Sequence, residues 1–131
     1  MRILIAEDDP TSRIFMQKFL SKYGECDIAV DGVETIDAFF IALKEERPYD
    51  LVCIDIMMPR VDGIKALKTI RDLEKQKGVL KENQVKVIMT TALNDKQTVE
   101  RAYDAGCEAY AWKPINIEKF IEVMRKLKLM E

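Results

Sequence analysis

Four polar clusters in this 131-residue chain could do chemistry together: the carboxylates Glu7, Asp8 and Asp9, the single acid Asp55, the hydroxyls Thr90 and Thr91, and the amine Lys113. Carboxylates gathered at one place repel each other, and a hard, oxygen-binding dication relieves that repulsion while leaving positions for water and phosphate. Mg²⁺ is the expected ion. The chain contains no histidine, so imidazole is excluded as base, ligand or phosphoryl carrier, and without thiolates at these positions nothing favours zinc or copper. A carboxylate nucleophile can form an acyl phosphate, and phosphoryl transfer asks mainly for positioning and for cations that neutralise the equatorial oxygens. Asp55 would be the nucleophile. The metal would bridge it to the phosphoryl group, the Lys113 ammonium would pair with a second oxygen, and the Thr91 hydroxyl would donate to the third.

Such a site needs a frame that brings four distant stretches to one edge. Short apolar runs, Arg2 to Ala6, Cys26 to Val30, Leu51 to Ile54, Val85 to Thr90 and Ala109 to Trp112, alternate with amphipathic stretches along the whole chain, the pattern of parallel β-α-β units. The Leu51–Ile54 and Val85–Met89 runs are nearly continuous in apolarity, which marks strands covered on both faces. The expected fold is therefore α/β: a doubly wound, five-stranded parallel sheet with helices on both faces. In such sheets ligands sit beyond the carboxyl ends of the strands, where the strand order reverses. All four polar clusters fall at predicted strand ends.

Each cluster alone has an ordinary explanation. Glu7 to Asp9 could merely favour a helix N-terminus, Asp55 to Gly63 could be a plain strand-to-helix turn, and Lys113-Pro114 could be a surface loop. Their common position on one sheet edge argues for a joint site.

In this combination the residues resemble the receiver family of two-component response regulators, over essentially the whole chain. The acidic pair is Glu7-Asp8, the acceptor motif D-x-x-M-P-x-x-D-G reads Asp55-Ile56-Met57-Met58-Pro59-Arg60-Val61-Asp62-Gly63, the switch hydroxyl followed by alanine is Thr91-Ala92, the switch aromatic is Tyr110, and the Lys-Pro pair is Lys113-Pro114. The resemblance implies Asp8 as direct metal ligand, Glu7 acting through water, Asp55 as acceptor and ligand, and the Met57 backbone carbonyl as a further ligand; Asp9 would only cap a helix. It implies a flavodoxin-like single receiver domain over 1–131, with strand order 2-1-3-4-5 and with no output domain. The partners would be a sensor histidine kinase or phosphotransfer protein docking near helix one, and a downstream effector or missing output domain. That downstream partner would read the helix four, strand five and helix five face, including Lys96, Arg101, Tyr103 and Lys119. Such a protein is a phosphorelay switch that assists its own phosphorylation and dephosphorylation but is not a turnover enzyme.

Composition removes other classes. Net charge is −2 and the lysines are interspersed with carboxylates, so no basic stripe offers itself to nucleic acid. No apolar run approaches the ~18 to 20 residues of a membrane span, and the N-terminal apolar stretch is too short for a secretory signal, so the expected location is cytoplasmic. Cys26, Cys53 and Cys107 are odd in number and lack metal-binding spacing, which fits a reducing compartment. A haloacid-dehalogenase-type hydrolase would want a second acid where Met57 stands. A flavodoxin-type cofactor binder would want a phosphate-cradling loop where Glu7-Asp8-Asp9 would repel phosphate. Because Met57 and Leu93, two residues beyond the acceptor and the switch hydroxyl, are apolar, neither can orient an attacking water, and a long-lived phosphorylated state is expected.

Overall fold

A computed structural model describes residues 1–130. The chain runs β1 (Arg2–Ala6), α1 (Pro10–Leu20), β2 (Glu25–Ala29), α2 (Gly32–Lys44), β3 (Leu51–Ile54), α3 (Gly63–Lys77), a 3-10 turn (Lys81–Asn83), β4 (Lys86–Thr91), α4 (Lys96–Ala105), β5 (Ala109–Trp112) and α5 (Ile117–Lys126). The strands form one sheet in the order β2-β1-β3-β4-β5, with every neighbouring pair parallel. The parallel sheet is the one expected from the alternation of runs, and its strand order is the one the family resemblance implies. The boundaries shift slightly: β2 begins at Glu25 instead of Cys26, β4 covers Lys86–Thr91 instead of 85 to 90, and α5 stops at Lys126.

Two-residue periodicity splits each strand between two cores. Leu4, Ala6, Val52, Ile54, Val87 and Met89 face a cluster with Phe39 of α2, Leu67 and Ile70 of α3 and Ala102 of α4. Ile3, Ile5, Leu51, Cys53 and Ile88 face the other side, against Met16, Phe19 and Leu20 of α1 and Phe120 and Met124 of α5. All four β3 residues are fully buried, which is why that run reads as continuous apolarity.

The helices are opened by short polar side chains. Asp9, Asp31, Asp62, Asp95 and Asn116 each accept a backbone N–H from the first turn, at 2.8 to 3.0 Å. Four of these caps, Asp9, Asp31, Asp95 and Asn116, follow strand ends within a few residues, so the entry of each of those helices is set close to the sheet edge. β1 lies between β2 and β3, and the strand order reverses there. Ala6 pairs in register with Ile54, and the Asp55 N–H donates to Ala6 O at 3.0 Å, so Glu7 and Asp55 leave the sheet side by side.

The charged stretch from Asp72 to Gln84, longer than a minimal connection requires, is held from below. Helix α3 continues to Lys77 and closes on Gly78, which takes φ 76° in the left-handed region. Glu74, 1% exposed, accepts from the Val85 N–H at 2.7 Å and from Arg71 Nη1 at 2.7 Å. Arg71 also donates to Val85 O at 2.9 Å, to Gly106 O at 2.8 Å and to Glu108 at 2.9 Å, and Glu108 accepts the Val87 N–H at 2.6 Å. One guanidinium thus ties the end of α3 to the start of β4 and to the α4–β5 corner.

Removing one member of a buried, satisfied network leaves the others unpaired. Glu74→Ala is expected to lower the urea unfolding free energy by about 3 kcal/mol, while Lys75→Ala, on the exposed side of the same turn, changes it by less than about 0.5 kcal/mol.

Candidate functional site

At the carboxyl edge of the sheet, Glu7 continues β1, Asp55 continues β3 and Lys113 continues β5. The Lys113 ammonium donates to Asp55 Oδ2 at 2.9 Å and forms an ion pair with Glu7 Oε1. Carboxylate oxygens of Glu7, Asp8 and Asp55 lie within 4.8 Å of one another. Glu7 is 1% and Asp55 6% exposed, whereas Asp8 opens toward solvent. Three carboxylates thus converge, and two of them pair with one ammonium.

The local backbone brings these groups in close. A Cβ at Gly63 would come within 2.3 Å of Asp55 O, so only glycine lets α3 start directly against the acid. At Gly32 the same atom would meet Val61 O at 2.0 Å, so the β3–α3 connection can rest on the entry of α2. Asp55 Oδ1, the oxygen not taken by Lys113, accepts a long bond from the Met57 N–H at 3.3 Å. The Met57 side chain is 64% exposed, consistent with a position where the backbone matters more than the side chain. The Lys113-Pro114 peptide is cis.

Burial raises the pKa of Glu7 from its ordinary 4.5 to about 7; Lys113 pulls it down, and Asp55 adds to the rise. For Lys113 burial works against the charge, but the two carboxylates together outweigh it and hold the ammonium above the usual lysine value. Glu7 Oε1 is fully buried and receives no aligned hydrogen bond, having only the ammonium against it. An oxygen donor set of this kind, with a buried oxygen whose only partner is the ammonium, fits Mg²⁺: ligand oxygens at 2.0–2.1 Å from an octahedral ion stand about 2.9 Å apart when adjacent and about 4.2 Å when opposite.

Thr91, 1% exposed at the end of β4, accepts the Leu93 N–H on its hydroxyl at 3.4 Å. The Tyr110 hydroxyl donates to Leu93 O at 2.5 Å, and burial lifts its pKa to about 12, so it stays a donor through the neutral range. The Leu93 residue is therefore gripped at both its N–H and its carbonyl by the two residues singled out as a switch pair. Nothing in the sequence marks this, because the link runs through backbone atoms. Thr90 points the other way and lines an apolar cleft with Phe15 and Met16 of α1, Lys113 and Pro114. Asp9 serves as the α1 cap, accepting the Ser12 N–H at 2.9 Å.

Residues 3–125 match the family described as response regulator receiver domain, and this chain belongs to that family. The polar-differentiation response regulator DivK of Brucella anthropi is 31% identical over 124 residues, covering 94% of this chain and 92% of that protein. Probable histidine kinase 2 of Oryza sativa subsp. indica is 29% identical over 134 residues, which make up 95% of this chain but only 12% of the kinase. The receiver domain of the Saccharomyces cerevisiae response regulator Ssk1, solved together with the histidine phosphotransfer signaling protein Ypd1, superposes with a TM-score of 0.81 at 26% identity, over 99% of this chain and 92% of that one. No helix among the described residues is long and apolar enough to cross a membrane.

Between about pH 4.5 and 7 the folded chain holds a proton on Glu7 that the unfolded chain has lost, so this group's stabilisation is complete at the acid end and declines as pH rises. In metal-free buffer the unfolding free energy is expected to fall between about pH 5 and pH 7.5, and Glu7→Gln should flatten that slope; denaturant titrations at a series of pH values measure both.

Proposed function

We propose that this receiver takes a phosphoryl group onto Asp55 from the phosphohistidine of a sensor kinase or phosphotransfer protein, with Mg²⁺ held by Asp8, Asp55 and the Met57 carbonyl, and by Glu7 through water. The observation that carries this reading is the convergence of Glu7, Asp8 and Asp55, with the Lys113 ammonium on Glu7 and Asp55. When bound, the ion supplies the positive charge that lets a dianionic phosphoryl group approach clustered carboxylates. Asp55 forms the new O–P bond as the donor's P–N bond breaks and its electron pair returns to the imidazole. Lys113, already on Asp55 Oδ2, is placed to pair with a phosphoryl oxygen.

Thr91 would supply the remaining donor: its hydroxyl proton would go to the phosphoryl group while its oxygen still accepts the Leu93 N–H, so a shift of the side chain toward the phosphate would draw Leu93 along. Since Tyr110 holds the carbonyl of that residue, the move would carry the β4–α4 connection and Tyr110 with it. The result would be a changed α4-β5-α5 face, where Tyr103, Trp112 and Ile117 are exposed, for an effector or output domain to read. The donor would dock on α1, where Ile14 and Phe15 are exposed beside a cleft of about 480 Å³ that reaches Lys113. The chain would act as a switch that assists its own phosphorylation without turnover. The match over residues 3–125 and the single sheet support one receiver unit spanning 1–131, and three free thiols support a reducing, cytoplasmic setting.

Asp55→Asn should incorporate no phosphate from acetyl phosphate with Mg²⁺ present, and chelation should stop incorporation by the unaltered chain; intact-protein mass detects both. Phosphate on the variant would remove Asp55 from its role. The phosphorylated state should outlast minutes without a phosphatase, and Met57→Asn, which offers a side chain able to orient water, should shorten its half-life about ten-fold. A decay within seconds would contradict the first expectation.

A further inference from the structure

Helix α4 brings a cation to the mouth of the acidic pocket that the metal and Lys113 do not account for. A cleft of about 420 Å³ opens beside Asp8, lined by Met57, Met58, Pro59, Asp62 and Arg101, and Arg101 is its only cationic residue. The sequence places Arg101 on the partner-reading face with Lys96, Tyr103 and Lys119; the fold turns it toward this cleft. Arg101 makes no hydrogen bond or salt bridge among the described residues, and the neighbouring Glu100 lies nearest Lys96. Its one electrostatic neighbour is Asp95, the α4 cap, whose carboxyl is held low chiefly by Thr98 with a weaker pull from Arg101. The guanidinium is therefore free to take an anion.

We propose that Arg101 is a specificity residue that selects phosphodonors by the charge of their leaving group. This rests on the acceptor reading of Asp55. In-line transfer sends the leaving group away from Asp55, outward through the mouth. With acetyl phosphate the P–O bond breaks and acetate departs as an anion with the electron pair, next to Asp8 and Asp62, where Arg101 is the only cation lining the cleft; Arg13, on the α1 side, is engaged with the Glu7 and Asp8 carbonyls. With phosphoramidate the P–N bond breaks and the nitrogen leaves as neutral ammonia after taking a proton from solvent. Arg101 offsets the negative rim for the first leaving group and has nothing to offset for the second. A planar guanidinium also matches a carboxylate in two-point geometry, which an ammonium cannot.

The test compares phosphorylation rates from acetyl phosphate and phosphoramidate, both with Mg²⁺, for the unaltered chain and for Arg101→Ala and Arg101→Lys. Arg101→Ala is expected to slow transfer from acetyl phosphate about five-fold while changing the phosphoramidate rate less than about two-fold. Arg101→Lys should recover part of the loss, and about 0.5 M salt should shrink the difference between donors. Equal effects on the two donors, or none, overturn the inference and leave the acceptor reading intact. If the unaltered chain takes phosphate from neither donor, both fall together.

Discussion

Two nearly buried carboxylates, Glu7 and Asp55, share one ammonium at the point where the strand order of the sheet reverses. Removing a carboxylate from water costs several kcal/mol, and a single cation cannot compensate two of them in full. The rest of the edge answers to that imbalance. Glu7 keeps its proton up to about neutral pH, Lys113 is held charged, and Asp8 stays near solvent, where its charge costs less. A dication would complete the balance, and a phosphoryl group would then be accepted where an anion would otherwise be repelled.

The sheet makes such an arrangement durable. β3 and most of β4 are buried on both faces, so the residues that follow them inherit a rigid origin, and the in-register pairing of Ala6 with Ile54 fixes the separation of the two acids. Far from the chemistry, the Arg71, Glu74 and Glu108 network secures the opposite end of β4 and the corner leading into β5. The carboxyl edge is thus free to use loops. The link between two of its strands is small: the backbone of Leu93, held by one hydroxyl from β4 and one from β5.

That same economy explains how a signal could leave the pocket. The Thr91 oxygen accepts the Leu93 N–H, which leaves the hydroxyl proton to be given to a phosphoryl oxygen. Because Tyr110 grips the carbonyl of the same residue, displacement at one end is felt at the other without a long chain of contacts. Arg101 belongs to the helix that follows this connection, so donor selection and switching would act through adjacent parts of one element.

Much of the fold and of the site is legible in the residues themselves, because the physics involved is local or periodic. Short apolar runs, separated by amphipathic stretches that open on Asp or Asn and are punctuated by Pro and Gly, specify the alternation and hence the sheet, and the clusters at strand ends mark Glu7, Asp8, Asp55, Thr91 and Lys113. The acceptor motif can be read because Gly63 answers a close approach to the carbonyl of Asp55 itself, a demand that shows up as residue type. What tertiary structure alone decides involves groups whose identity says nothing of their direction. Which threonine turns toward Leu93, the role of that residue's backbone, the inward use of Glu74, and the turning of Arg101 from an outer face toward the cleft all depend on how separate elements pack. Hydrogen bonds through backbone atoms and the aim of long charged side chains leave no periodic trace in a sequence, whereas burial and capping do.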